Sequence, residues 1–170
     1  TNELGFRPKG MIFWSTGQTA TGTAAKANFS VGMSADKATG EMGFMTNFPD
    51  ADTVSANTTN CNSDPNNCIN VYDGSGVLLE ASPNFQANGF DLVYLSKTNT
   101  VQYKWNYFAF TSPNIANVNV VTVTPATGAG DQDITTIGFT GSIAFFGGGD
   151  FAANASTGAN SCGIGVAMSD

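Results

Sequence analysis

Apolar and polar residues alternate along this chain in short runs, a pattern typical of β-strands with one buried face. The alternation is clearest in residues 102–110, where Tyr103, Trp105 and Tyr107 share one face of the predicted strand. Residues 11–15 instead form a continuous apolar run, which predicts a strand buried on both faces. No window of ten or more residues has a 3.6-residue period, so we predict no helix.

The same criteria predict about ten strands. They cover residues 11–15, 29–34, 41–46, 68–73, 77–81, 90–94, 102–110, 118–124, 143–146 and 163–168. Residues 47–67 are predicted to be a long polar loop and 73–76 a hairpin turn, because Asn, Asp, Gly and Pro favour turns. Many short strands separated by turn signals indicate an all-β protein. We predict one antiparallel β-sandwich domain over residues 1–170, with a jelly-roll-like topology.

The opening of the chain is repeated near its end. Residues 4–14 begin Leu-Gly-Phe and lead into an apolar run, and residues 137–146 begin Ile-Gly-Phe and do the same, 133 positions later (137 − 4). Self-similarity at a fixed spacing indicates a repeated structural unit. We therefore predict a repeat unit over residues 4–133 and a partial second copy over 134–170. Either the two copies complete one another's sheets, or the second copy continues in a longer parent chain.

Composition and charge exclude several classes of partner. Charged residues make up 11% of the 170 residues, whereas about a quarter is usual in soluble proteins. The net charge is −7 and the six basic residues are scattered, so the basic stripe that binds nucleic acid is missing. The same scarcity disfavours an anionic membrane surface, and no apolar run reaches the roughly 18–20 residues that span a bilayer. We predict neither a nucleic-acid nor a membrane partner.

No catalytic constellation stands out. The chain has no His, which is the commonest general base. A carboxylate pair could act as acid and base, as in glycosidases. The candidates for such a pair are Asp50, Asp52, Asp73, Asp91, Asp131 and Asp133. Most of them lie among turn-forming residues, where Asp is expected for backbone reasons, and their spacing does not match a calcium-binding loop. We predict no enzymatic activity, no cofactor and no metal.

The cysteines and aromatic residues each allow two interpretations. Cys61 and Cys68 flank a run of turn-forming residues, so a disulfide across this short loop and a pair of free thiols are both open. Cys162 is predicted to be a small buried apolar residue. The larger aromatic side chains could form a platform for a sugar ring, but their place within apolar strands favours core packing. These aromatic residues are Trp14, Tyr94, Tyr103, Trp105 and Tyr107.

Residues 4–14, with the Thr/Gly/Ala-rich loop and residues 29–33 that follow, resemble a repeat of uncharacterised bacteriophage and prophage proteins. In that group a Gly-Phe-x-Pro-Lys segment leads into an aromatic-rich strand, as Gly5-Phe6-Arg7-Pro8-Lys9 does here. Residues 88–94 and 103–110 resemble its later strands. The second copy lacks the Pro-Lys and carries Thr140-Gly141 instead.

The resemblance implies a non-enzymatic structural role on the surface of a phage particle, as a head decoration (cement) protein or a tail or fibre component. Its partners would then be capsid or tail subunits. Exposed sheet edges suit a homo-oligomer, for which a trimer is our expectation, and residues 47–67 are our candidate interaction loop. A receptor- or glycan-binding adhesin is the alternative function, and a carboxylate-dependent glycan hydrolase is a third.

Overall fold

The computed structural model describes residues 2–16, 27–36, 41–48, 60–64, 66–72, 77–98, 102–121, 123, 127–149 and 162–168. In these residues the chain forms eleven strands and no helix, and every strand pairing is antiparallel. The strands are β1 (Asn2–Glu3), β2 (Gly10–Ser15), β3 (Ala27–Ala35), β4 (Glu41–Phe48), β5 (Asn60–Asp64), β6 (Ile69–Tyr72), β7 (Val77–Gln86), β8 (Gly89–Lys97), β9 (Asn106–Phe110), β10 (Ile143–Gly149) and β11 (Cys162–Met168). The predicted all-β class is confirmed.

Five strands form the largest sheet, in the order β5-β4-β3-β2-β9. Residues directly opposite each other in antiparallel strands share a face, and Phe13 of β2 lies opposite Gly32 of β3 and Tyr107 of β9. Phe13 is buried on this inner face, whereas its neighbour Trp14 is 38% exposed on the outer face. The predicted burial of residues 11–15 on both faces is therefore wrong, because the outer face of β2 is not covered at Trp14.

Four strands form a second sheet, in the order β1-β8-β7-β6. The sequence predicts that the strand beginning at Val77 ends at Ala81, yet β7 continues through Pro83 to Gln86. β6 pairs with β7 only as far as Ala81, so Pro83 lies where β7 has one partner strand, β8. A strand tolerates the missing N–H of proline in that position.

The core lies between these two sheets. It contains Met11 and Phe13 of β2 together with residues of the other sheet and of the turn before it: Cys68, Ile69, Val71, Leu79, Ala81 and Phe90. The rings of Phe13 and Phe90 meet edge to face at 5.9 Å, and Tyr107 meets Phe90 at 5.1 Å. Burial of each large apolar side chain contributes about 1.5–3 kcal/mol, so these contacts hold the two sheets together.

The strand order differs from the predicted jelly roll. A jelly roll contains Greek keys, in which long connections bring distant strands side by side. Here β2 to β5 pair in chain order, as do β6 to β8, and only β1 and β9 join a sheet beside a strand distant in the chain. Short connections favour pairing between consecutive strands, and the alternation of residues carries no information about which strands pair.

Three predicted segment boundaries also need correction. Residues 118–121 form no strand; the side chain of Val118 instead lies next to Gly10, as the ring of Phe110 also does. The strand predicted over 102–110 begins only at Asn106. The predicted loop 47–67 contains β5 and the end of β4, because backbone pairing with a neighbouring strand can stabilise a polar segment that lacks apolar alternation.

Candidate interaction surface

The repeated segment has the same backbone features in both copies. Gly5 has φ of 78° and Gly138, 133 positions later, has φ of 76°, a left-handed conformation that favours glycine. Each glycine precedes the first strand of an antiparallel hairpin, β2–β3 in the first copy and β10–β11 in the second.

The strand register repeats as well. Phe13 lies opposite Gly32 in the β2–β3 hairpin, and Phe146 lies opposite Gly165 in the β10–β11 hairpin. Each of these residues is again 133 positions from its counterpart. The same offset relates the remaining pairs: Gly10↔Ala35 to Ile143↔Met168, Met11↔Ser34 to Ala144↔Ala167, Ile12↔Met33 to Phe145↔Val166, Trp14↔Val31 to Gly147↔Ile164 and Ser15↔Ser30 to Gly148↔Gly163.

The surroundings of the two hairpins differ sharply. Phe13 is 1% exposed and its counterpart Phe146 is 56% exposed, while Val31 is 4% exposed and its counterpart Ile164 is 51% exposed. The β2–β3 hairpin has β4 and β9 on its edges and the four-stranded sheet over its inner face. The β10–β11 hairpin is a separate two-stranded sheet among the described residues. Hairpins with the same register therefore lie at the centre of a five-stranded sheet in the first copy and, within the described part of the chain, in a sheet of their own in the second.

The inner face of the β2–β3 hairpin fits closely against the start of β6. A methyl group placed on Gly32 would overlap the carbonyl group of Cys68. At the equivalent Gly165, a methyl group would meet the Cβ of Phe146 at an ordinary 3.8 Å. The glycine required by packing in the first copy is therefore under no such constraint in the second.

The Arg7-Pro8-Lys9 segment fastens the β2–β3 hairpin to its surroundings. The guanidinium of Arg7 donates from Nε and Nη2 to the two carboxylate oxygens of Asp36, at 2.8 and 2.6 Å. This hydrogen bonding raises the pKa of Arg7 above its ordinary value. Pro8 is buried, and the ammonium of Lys9 donates to the carbonyl groups of Ser112 and Ile115.

The second copy lacks this fastening. Thr140, Gly141 and Ser142 stand where the first copy has Arg7, Pro8 and Lys9. The ion pair joins residues 29 positions apart, and the sequence pattern carried no signal for it. Residues 7–9 therefore hold the β2–β3 hairpin to its surroundings in the first copy, a role that the sequence pattern did not reveal.

The β10–β11 hairpin presents an exposed apolar surface. Six of its large apolar side chains are 44% to 75% exposed: Ile143, Phe145, Phe146, Ile164, Val166 and Met168. Neither strand contains a charged residue. Because successive residues of a strand point to opposite faces, the neighbours Phe145 and Phe146 make both faces of the hairpin apolar. In the sequence, this surface is indicated by two strand segments that are rich in apolar residues and contain no charged residue.

The aromatic residues divide between core and surface. Tyr103 and Trp105 are partly buried and pack against the core, which confirms the predicted core packing for these two. Tyr107 contacts the rings of Phe13 and Phe90 but is 41% exposed. Trp14 and Tyr94 are exposed instead, so core packing is wrong for them. At Trp14 and at Tyr94, only one face of the strand is covered, and these side chains lie on the other face. The Nζ of Lys97 lies 5.5 Å from the centre of the Tyr94 ring.

The predicted disulfide falls partly outside the described side chains. Cys68 is buried in the core, with its Sγ 3.9 Å from the carbonyl oxygen of Ala81. The backbone of Cys61 lies in β5 and that of Cys162 in β11, but neither side chain is among those described. The Cys61–Cys68 disulfide and the burial of Cys162 stay predictions.

The candidate carboxylates are not gathered into a site by the described part of the chain. Asp91 is half-buried on β8, and Asp131 and Asp133 are exposed outside the strands. Asp50, Asp52 and Asp73, like most of the predicted interaction loop 47–67, lie outside the described residues. Within those residues, no group of three or more His, Cys, Asp or Glu side chains could hold a metal ion, and no helix has the length and apolar character to cross a membrane.

Comparison with protein-family models, with curated proteins and with solved structures finds no match to this chain. Its function must therefore be argued from the surfaces described above.

Proposed function

We propose that this protein is a non-enzymatic structural component of a bacteriophage virion. It would serve as a head decoration (cement) protein or as part of a tail or fibre, arranged as a β-sandwich on the particle surface. The resemblance of residues 4–14 to a phage repeat supports this proposal. Charged residues make up only 11% of the chain. This low content also supports the proposal, because β-surfaces with few charges suit adhesion to other proteins.

The β10–β11 hairpin is the observation that carries the proposal. An exposed apolar patch with no charges marks a surface that binds another molecule. The core of a protein–protein interface is likewise apolar and depleted of charged residues. A strand edge adds backbone hydrogen bonds to such an interface. The hairpin combines these properties, and the capsid or tail subunits are the partners that we infer for it.

The test is to purify phage particles from a bacterium that carries the gene and to quantify this chain by mass spectrometry. We expect the chain to remain with the particles through a density gradient, at a fixed ratio to the major capsid or tail protein. Particles from a strain with the gene deleted are the control. Recovery of the chain only from the soluble lysate, with complete particles lacking it, would contradict the proposal.

A glycan-binding adhesin is the second candidate, because Trp14 and Tyr94 are exposed. Exposed aromatic rings can stack on sugar rings, since one face is apolar and the hydroxyl or indole N–H can hydrogen-bond. We expect adhesin function to appear as saturable binding of host polysaccharide that falls at least tenfold in Tyr94→Ala or Trp14→Ala. Unchanged binding in both variants would remove the observation that favours this candidate.

A further inference from the structure

Residues 111–121, which we call the strap, form neither a strand nor a helix, yet they cover one end of the five-stranded sheet. Successive residues of a strand point to opposite faces, so Gly10 and Trp14 of β2 share the outer face. Trp14 is 38% exposed there, whereas Gly10 is buried. The difference arises because the side chains of Phe110 and Val118 occupy the space in which a side chain of Gly10 would lie.

The ammonium of Lys9 holds the strap. Its Nζ donates to the carbonyl oxygens of Ser112 and Ile115, the two ends of a turn in which the Ile115 amide donates to the Ser112 carbonyl at 3.1 Å. A charged donor makes stronger hydrogen bonds than a neutral one. Lys9 is itself fixed by its backbone, because its amide donates to the carbonyl of Phe110 at 2.9 Å and its carbonyl accepts from the amide of Asp36 at 3.0 Å.

The second copy has neither of the two residues that receive the strap. Ser142 stands in place of Lys9 and Ile143 in place of Gly10. A serine hydroxyl is too short and carries no charge with which to gather two carbonyl groups. An isoleucine side chain would fill the space that Val118 takes in the first copy, and Ile143 is 57% exposed. Holding a strap is therefore a property of the first copy.

The strap is separate from the core. No described residue of 111–121 belongs to the cluster between the two large sheets or to the partly buried residues packed on it. Segments without strand pairing and outside the core open at a lower free energy than core strands do. Release of the Lys9 hydrogen bonds and of the Val118 contact would free the strap and leave the core contacts in place.

We propose that the strap is a separately opening element, which Lys9 and Gly10 hold closed while the two large sheets stay folded. The closed chain leaves the sheet after Val118 and the open chain leaves it after Phe110, so opening adds eight residues (118 − 110) to the connection that leads to the β10–β11 hairpin. Eight extended residues reach roughly 26–29 Å. The strap therefore controls how far the second copy can move from the first. This inference goes beyond the proposed function and does not depend on it, because the purified chain is sufficient to test it.

The first experiment follows hydrogen exchange of single amides by NMR in the unaltered chain, over urea concentrations below the unfolding transition. The amides of Asn114 and Ile115, which both donate to Ser112, report on the strap, and the amides of β3 report on the five-stranded sheet. We expect the two strap amides to exchange faster than those of β3. We also expect urea to change their exchange less, since opening the strap exposes less surface than unfolding does.

The second experiment repeats the measurement in variants of the two residues that hold the strap. Lys9→Met keeps most of the apolar stem and removes the ammonium, and we expect the strap amides to exchange roughly tenfold to a hundredfold faster, the effect of losing a hydrogen bond to a charged group. Gly10→Ala should also speed their exchange, because the new methyl group would lie 2.5–2.9 Å from side-chain atoms of Phe110 and Val118.

Lys104→Met is the matched control, because Lys104 is an exposed lysine just before β9. We expect it to change exchange of the strap amides by no more than about twofold, as surface substitutions do. Amides of β3 that stay protected in all three variants would show that the sheets remain folded.

Two results would overturn the proposal. In the unaltered chain, strap amides with the same exchange rate and the same urea dependence as the β3 amides would show that the strap opens only when the whole chain unfolds. This result needs no variant, so it decides the matter even if a variant fails to fold. The other result is strap exchange that Lys9→Met and Gly10→Ala change no more than Lys104→Met does, with β3 protected throughout, which would show that these residues do not hold the strap.

Discussion

At the scale of single residues, Gly32 of β3 packs directly against the backbone of Cys68, the residue before β6. Its Cα faces the carbonyl group of Cys68, and any side chain would overlap that group. The carbonyl belongs to the backbone, so the overlap cannot be relieved by a change of rotamer. The absence of a side chain, and not an unusual backbone conformation, is what this position requires.

We expect Gly32→Ala to lower the free energy of unfolding by about 1–3 kcal/mol, the usual range for overpacking, or by more. Gly165→Ala is the matched control, because it makes the same change at the equivalent register position with 3.8 Å of room. We expect it to change stability by less than about 0.5 kcal/mol, as surface substitutions do. Urea denaturation of both variants gives the comparison. Equal effects at the two positions would show that the contact with Cys68 does not govern stability.

The Arg7–Asp36 ion pair is exposed and should contribute little. The hydrogen bonds to Asp36 raise the pKa of Arg7 in the folded state. The stabilisation from this interaction is fully present below the unfolded-state pKa of Arg7. It is lost only as the pH rises through the folded-state pKa, in strong alkali. We therefore expect the Arg7 side of the pair to add no pH dependence to stability near neutrality.

The ion pair should respond to salt instead, because solvent screens exposed charges. Arg7→Lys removes the two-pronged contact, and we expect a loss below about 1 kcal/mol in low salt that shrinks as salt is added. A double-mutant cycle with Asp36→Asn isolates the pair. A loss well above that value, or one unaffected by salt, would contradict a screened surface contact.

At the scale of strands, Phe90 of β8 joins the two sheets through its contacts with Phe13 and Tyr107. Phe90→Ala leaves a cavity in the core, and we expect it to lower the free energy of unfolding by about 3–5 kcal/mol. Phe108→Ala is the control, since Phe108 is an exposed residue of β9 and its loss should matter far less. Thermal and chemical denaturation measure both. Similar losses of stability in Phe90→Ala and Phe108→Ala would show that Phe90 is not part of the core.

Strand prediction succeeded where apolar and polar residues alternate and failed where pairing alone stabilises a strand. On β3 the alternation located the strand but not its buried face, because Ser30 and Gly32 lie against the other sheet and are as buried as Val31. β5 is a polar strand, Asn60–Asp64, held by its pairing with β4. Residues 118–121 have the opposite character, because three of the four are valines and yet they join no sheet.

At the scale of the whole molecule, the two large sheets share one core, and the β10–β11 hairpin lies outside it. We expect a chain ending at residue 133 to unfold cooperatively, with a midpoint close to that of the full chain, because the core residues all precede residue 134. One contact that crosses this boundary is a hydrogen bond from Asn119 to the carbonyl of Ile137. Thermal unfolding followed by circular dichroism tests this, and loss of cooperative unfolding would show that the second copy is part of the core.

Alternation and self-similarity can be read from the sequence, so the all-β class, the repeat at an offset of 133 and most of the apolar strands could be predicted before the structure. Tertiary structure alone decided which strands pair, which face of β2 is buried, the Arg7–Asp36 contact and the contrast between the buried Phe13 and the exposed Phe146. Each of these depends on residues distant in the chain. Two segments with the same strand register have opposite exposures because burial is a property of neighbours, and the two segments have different neighbours.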